Sequence, residues 1–386
     1  MPANRANINP DLLTFSRERM GYDIPVISKS LQINEERWIN WERGEEKPTM
    51  NQLIRIAEKL DRTPAFFYLN EPPVEKEPLA EFRTLRNVIP GSVSPKLISA
   101  IRAARRNRET LIELYDEQNK SPKPAPALDW KAGSIAEQAR YIREWLGITV
   151  DKQSSWTSSS EALTNWKGLL EDQDIYVVQF PYVQVDECRG FAIAEEQFPV
   201  IGINSKDTYN ARIFTLIHEL AHVFYRDTVL TNDRLSDYFD CSRSMEKRCN
   251  RLAAEILVPS NDLKNMYRSS DDPEREIRRL ANTFRVSGYV MLIRLNDNKL
   301  MPDDQFEFLL PEFSFYDGTP GGSDGGNSYY NQIVRKGRLY MKAAFQSYFD
   351  NRITVAELAQ LTGWKVPNLN ELAAKTFHWP EEGHYV

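Results

Sequence analysis

Apolar residues recur at helical spacing along most of the chain. In PTMNQLIRIAEKL, Leu53, Ile56, Ala57 and Leu60 fall on one face, which predicts a helix over about 48–60. Three shorter segments precede it. DLLTFSRERM at 11–20 predicts a helix that stops at Gly21. DIPVISKSL starts a second, with Asp23 as N-cap and Pro25 in the first turn, and NEERWINWERG a third, capped by Asn34 and stopped by Gly44. Farther on, ARIFTLIHELAHVFY lacks Pro and Gly and places Phe214, Ile217, Leu220, Ala221 and Phe224 on one side. SMEKRCNRLAAEILVPS reads as the next helix, with Leu252, Ala253, Ile256 and Leu257 available for packing.

Ahead of those two helices the period changes. CRGFAIAEEQFPVIGIN alternates like two strands around the turn EEQFP. Near the end, SYYNQIVRKGRLYMKAAFQSYFDNRI predicts one long helix, and the Thr354-x-x-Glu357 step is a capping box that opens a shorter one. The fold class expected is therefore α+β, mostly helical, with a small sheet.

Three breaker-rich stretches divide the chain: NEPPVEKEP at 70–78, NKSPKPAPALDW at 119–130 and DGTPGGSDGGN at 317–327. The expected parts are an N-terminal helical module at 1–70, a basic helical connector with a Pro-rich linker at 71–130, a central body at 131–310, and a Gly-rich loop with a helical region at 311–386. Ser94 and Pro95 are a good helix start for the connector, whose residues 82–110 carry seven Lys/Arg against Glu109.

Composition adds exclusions. With 386 residues, 41% of them hydrophobic, the chain suits two or three globular domains. No run of 18 apolar residues exists to span a bilayer, and the first residues, MPANRANINP, lack the apolar stretch of a signal peptide. Three cysteines, Cys188, Cys241 and Cys249, fit a reducing cytosol, so a cytoplasmic location is expected. A net charge of −6 argues against nucleic acid coating the whole chain.

The chemistry concentrates at HELAH. The chain has four histidines, and His218 and His222 stand four apart, one helical turn, so both imidazoles can reach one ion. Glu219 lies beside the first, where its carboxylate could act as general base on a water at the metal. A catalytic zinc needs a third protein ligand. Glu246, 24 residues after His222 in the first turn of the following helix, is the residue assigned. Glu255, nine residues on, lies on a roughly similar face, and spacing alone leaves it as a rival. Cys241 and Cys249 could bind as thiolates, whereas His378 and His384 lie in the tail. Asn250, one turn after Glu246, is placed to hold a ligand through a hydrogen bond. In zinc peptidases the strand before such a helix offers its edge to an extended peptide. The expected edge is Gly190, Phe191, Ala192, Ile193 and Ala194, or else Val200–Asn204.

Two resemblances follow from these residues. WINWERGEEKPTMNQLIRIAEKL, with its W-E-R-G turn, Pro48-Thr49 step and L-x-x-I-A-x-x-L pattern, resembles the Xre/Cro helix-turn-helix family over roughly 60 residues. That resemblance implies a recognition helix at 34–43 with Glu35, Glu36, Arg37 and Asn40 outward, and a DNA contact through residues 23–44. Arg37 would read guanine and Asn40 adenine. Residues 1–70 carry 10 Lys/Arg against 10 Asp/Glu, so phosphate attraction is weak and protein contact is the rival use of the same fold.

HELAHVFY, then ME-x-x-CN-x-LAAEILVP, then LANTFRVSGYVMLIRL at 280–295 resembles the ImmA/IrrE family of zinc metallopeptidases over roughly 135–300, with Cys249 for the usual alanine and Leu252 for the usual phenylalanine. The resemblance implies a gluzincin-like site in which His218, His222 and Glu246 bind Zn2+ and Glu219 is the base. It also implies cleavage of a repressor-like or antitoxin-like regulator by an endopeptidase coupled to transcription. The rival is a non-cleaving DNA-binding regulator or antitoxin that uses the peptidase fold to sense a ligand or bind a partner.

Overall fold

A computed structural model describes residues 5–73, 94–129, 131–227, 229–231, 244–269, 272–315 and 328–377. The chain forms two compact units, Met1–Arg102 and Ala103–Val386.

The first unit is built from α1 (Pro10–Arg19), α2 (Ile24–Leu31), α3 (Glu35–Glu42), α4 (Met50–Lys59) and a 3-10 turn at Pro64–Tyr68. Local chemistry sets the boundaries. Asn9 and Asn34 accept hydrogen bonds from backbone N–H groups in the first turns of α1 and α3, and Thr49 with Gln52 makes a full capping box on α4. Leu12, Leu13, Trp38, Trp41, Leu53, Ile56 and Phe67 are fully buried and supply the core. Within it Glu42 accepts from both Arg17 (2.7 Å) and Trp38 Nε1 (2.8 Å).

Helix α5 (Pro95–Glu117) carries the chain into the second unit, starting where Ser94 Oγ accepts from Leu97 N. The Pro-rich stretch after it, expected to be a linker, is packed instead. Ala125 is buried, Lys123 N donates to Asp174 and Leu128 N donates to Phe224 O. Prolines exclude regular structure here, and backbone bonds to the body hold the segment in its place.

The body continues with α6 (Ile135–Leu146), α7 (Val150–Ser154), α8 (Ser159–Glu171), β1 (Tyr176–Phe180), β2 (Gly190–Ile193), β3 (Val200–Asn204), α9 (Tyr209–Phe224), β4 (Val229–Thr231) and α10 (Ser244–Leu257). Then come α11 (Ser260–Met266), α12 (Pro273–Phe284), α13 (Gly288–Asp297), α14 (Asp303–Phe315), α15 (Ser328–Lys336), α16 (Arg338–Phe349), α17 (Val355–Thr362), a 3-10 turn at Val366–Asn368, and α18 (Leu369–Phe377). The architecture is α+β and mostly helical, as the patterning implies. Among the described residues no helix is long and apolar enough to cross a membrane.

The sheet runs β1-β3-β2-β4. β1 pairs β3 in parallel with Val178 opposite Gly202, and β2 pairs β3 antiparallel with Phe191 opposite Gly202, which makes the hairpin expected around EEQFP. β1 and β4 carry no pattern that separated them from their surroundings. β4 corrects the expected peptide-binding edge. Gly190, Phe191 and Ala192 pair with Thr231, Leu230 and Val229, so β2 has a neighbour on each side, and β3 lies between β1 and β2. Neither Gly190–Ala194 nor Val200–Asn204 is the outer strand, because the chain leaving α9 returns to the sheet and fills that position.

A second correction concerns the long C-terminal helix, which is two. Gly337 sits between α15 and α16 at φ +79°, in the left-handed region, and a Cβ there would lie 2.5 Å from the Tyr176 ring and 2.8 Å from Val177 O. Glycine lets the chain break against β1. The Thr354–Glu357 capping box is present. Residue 311, the expected start of the C-terminal region, lies inside α14, while 317–327, the Gly-rich stretch, is outside the described residues.

Candidate metal centre

Helix α9 begins at Thr208, whose side chain accepts from Ala211 N, and every residue from Ala211 to Phe224 is buried. It packs on β2, β3, α8 and α10. A helix apolar all round can be enclosed like this at little cost, and the polar residues it carries inward then need partners.

His218 and His222 find theirs in each other and in Glu246. Their rings stand 4.8 Å apart at 65°, with Nε2 to Nε2 at 3.1 Å. Glu246 Oε2, from the first turn of α10, is 3.4 Å from each Nε2. Relative exposures are 0%, 0% and 4%. These three donor atoms form a triangle with sides 3.1, 3.4 and 3.4 Å. Ligands about 2.0–2.2 Å from a tetrahedral zinc stand roughly 3.3–3.5 Å from one another, so the triangle has the size of one face of that tetrahedron. Two imidazoles and a carboxylate are also the ligand types zinc takes. The residues present fit the ion, and this buried cluster could hold a metal.

Charge points the same way for His218 and Glu246, and the other way for His222. Burial pushes the His218 imidazole down, favouring the neutral form a metal ligand needs. For Glu246 burial works upward, but hydrogen bonds with His218 and His222 outweigh it and hold the carboxyl well below its ordinary value. Burial lowers His222 too, and there Cys249, Asp227 and Glu246 more than reverse it.

Each ring has a polar neighbour behind it. Asn250, one turn along α10 from Glu246, lies beside His218 and acts to raise that imidazole's pKa. Asp227 Oδ2 lies 3.4 Å from His222 Nδ1. Sequence reasoning missed Asp227. Its signal was an acid five residues past the second histidine, at the helix end: Arg226 turns the chain at φ +55° and Asp227 N donates to His222 O at 2.9 Å, which brings the carboxylate under the ring.

The rival ligands fall away. Glu255 pairs with Arg294 and accepts from Ser260 N (2.8 Å) and Ser260 Oγ (2.7 Å), closing the end of α10. Cys249 Sγ is 3.7 Å from His222 Nδ1, on the side of the ring away from the triangle, and burial pushes its thiol up. Cys241, His378 and His384 lie outside the described residues. Tyr225, given no role from sequence, donates to Gln138 at 2.6 Å.

Glu219, the next residue after His218, is fully buried and turned toward β2. A Cβ on Gly190 would lie 2.9 Å from Glu219 Oε1 and 2.5 Å from Thr215 Cγ2. Gly190 therefore makes the room this carboxylate occupies between helix and sheet.

Two of the outward positions expected on α3, Arg37 and Asn40, are engaged within their own unit, while Glu35 and Glu36 are exposed. Arg37 Nε lies 3.4 Å from Glu46 and its guanidinium is 5.7 Å over the Trp41 ring. The Asn40 amide, oriented to satisfy its neighbours, donates to Glu45 (3.2 Å) and Glu36 O (3.3 Å).

Fold and site together define a helical protein with a small sheet and a buried His-His-Glu cluster at an H-E-x-x-H helix. Residues 170–296 match the family model of Peptidase M78, described as the IrrE N-terminal-like domain, which supports the ImmA/IrrE family and points to a peptidase acting on a protein substrate. No curated protein and no solved structure matches the chain.

Proposed function

We propose that this chain is a zinc metalloendopeptidase in which His218, His222 and Glu246 bind Zn2+ and Glu219 is the general base. The observation that carries the reading is the triangle of donor atoms, sized for a tetrahedral ion and built from the H-E-x-x-H pair and one carboxylate. Zinc, when bound there, supplies the Lewis acidity that polarises a water and the scissile carbonyl. The remaining work belongs to the chain. Glu219 takes the proton of the attacking water and delivers it to the departing amine nitrogen. Asp227 and Asn250 fix the two rings. With β2 and β3 paired on both sides, an extended peptide would add to the sheet at β4.

The substrate in this reading is a regulatory protein of the repressor or antitoxin kind in a reducing cytoplasm, and the N-terminal unit, an Xre-type helix-turn-helix, couples cleavage to transcription. The second reading is a non-cleaving regulator. What favours protein contact over base reading is that Arg37 and Asn40 are engaged by Glu46 and Glu45. A gel shift at two salt concentrations separates the two uses, since phosphate contact predicts a steep loss of affinity with salt. Cleavage is tested by Glu219→Gln: zinc content stays, and turnover of a substrate cut by the wild type falls about 100-fold or more. Wild-type turnover in that variant removes Glu219 from the mechanism.

A further inference from the structure

The C-terminal end of α10 borders a cavity whose lining residues have no place in the metal centre. It holds about 530 Å³ and is formed by α6, the turn into α7 and the start of α11, with Ala139, Ile148, Val150 and Pro259 among its walls. Ile256, whose carbonyl meets the lining residue Arg143, stands ten residues past Glu246 on α10, roughly 15 Å along the helix. A space of this size, with apolar walls and a few polar groups, suits a small organic molecule.

Arg143 lines this cavity and is 7% exposed. Its Nη1 donates to Gln153 Oε1 (2.8 Å) and to Ile256 O (2.6 Å), which uses both hydrogens and fixes the guanidinium. Nη2 has no hydrogen-bond partner among the described residues, and neither has Nε. The Nε–Nη2 edge is therefore the unfilled one, and two parallel N–H groups are the geometry that takes both oxygens of a carboxylate. Burial pushes the guanidinium down to about 10, opposed by Asp262, so it remains a cation at neutral pH.

The other charged residues of the lining divide into used and unused. Glu137 accepts from Ser134 N (3.1 Å) and Oγ (2.7 Å), Glu144 pairs with Arg140 at 3.9 Å, and Glu255 pairs with Arg294. Asp262, half-buried in the first turn of α11, is different. Its carboxylate makes no hydrogen bond or ion pair among the described residues, although its charge acts on Arg143. The cavity thus offers one buried cation and one acid that form no ion pair with each other. A bare anion would meet the repulsion of Asp262, and a bare cation that of Arg143.

We propose that this cavity binds a small zwitterion of the amino-acid class with an apolar side chain, a free amino acid or a dipeptide. Its carboxylate sits on the Nε–Nη2 edge of Arg143, its ammonium beside Asp262, and its side chain against Ala139, Ile148 and Val150. The site is separate from the zinc chemistry proposed above and does not depend on it. Occupancy would brace α6 against the end of α10, which Arg143 already joins through Ile256 O.

The test uses the full chain with its zinc and isothermal titration calorimetry. The probes are L-leucine, L-leucyl-L-leucine, N-acetyl-L-leucine, which lacks the ammonium, and L-leucinamide, which lacks the carboxylate. At least one of the two zwitterions should bind saturably at concentrations up to about 10 mM, and both blocked probes about tenfold or more weakly. Asp262→Asn, at a side chain that holds no other group in place, should fold, keep its zinc and lose about tenfold of that affinity. Its loss separates binding here from binding at the metal. Three results each overturn the proposal: no saturable binding by either zwitterion, a blocked probe that binds as tightly, or unchanged affinity in Asp262→Asn.

Discussion

The carboxylate of Asp227 lies 3.4 Å from Nδ1 of His222, on the ring edge opposite the Nε2 that faces Glu246. Asp227 is thus positioned to orient the second histidine, with Cys249 Sγ also at that nitrogen, 3.7 Å away. Asp227→Asn keeps the shape and loses the charge, so zinc affinity should fall about 10- to 100-fold, measured by competition with a chelator, while the fold persists. Unchanged affinity would show the contact to be incidental.

Gly190 leaves no slack beside Glu219. With a Cβ at 2.9 Å from Glu219 Oε1 and 2.5 Å from Thr215 Cγ2, Gly190→Ala must displace one or both. Full zinc content with at least tenfold lower turnover is expected. The informative comparison is kcat against metal stoichiometry on the same preparation, because a merely structural effect would lower both together.

At the C-terminal junction, Gly337→Ala combines strain at φ +79° with a 2.5 Å approach to Tyr176. Denaturant unfolding should show a loss of about 1–3 kcal/mol or more.

A pH prediction comes from Glu276. Its burial works upward, but Arg279 Nε at 2.7 Å and the Arg268 backbone N–H at 2.9 Å hold the carboxyl below its ordinary value. A depressed folded-state value means the unfolded chain binds more protons below about pH 4.5. Glu276 therefore contributes stability above that pH and loses it as the pH falls through its folded value. The thermal-midpoint difference between wild type and Glu276→Gln should be largest near neutrality and shrink toward zero in acid. A difference independent of pH would contradict the charge argument.

Much of the centre was legible because its chemistry is local. H-E-x-x-H places two imidazoles by helix geometry alone, and Asn250 sits one turn from Glu246 for the same reason. Choosing Glu246 over Glu255 required knowing that Arg294, far along the chain, neutralises Glu255. Asp227 was hidden because its position depends on a left-handed turn at Arg226, a non-glycine residue that advertises no such conformation. The peptide-binding edge was misplaced for a related reason: β4 is three residues long, too short for its alternation to register, yet pairing it with β2 decides which strand is outermost. The broken C-terminal helix failed on a single glycine whose role is set by Tyr176, about 160 residues away.

Metal stoichiometry tests the central claim most directly. The full chain, freed of adventitious metal and titrated with zinc, should bind one ion tightly. His222→Ala and Glu246→Gln should each drop that tight site, with at least 100-fold weaker binding, while both variants remain folded by circular dichroism. If Glu246→Gln binds zinc as tightly as the wild type, the third ligand is another residue and the proposed centre is wrong.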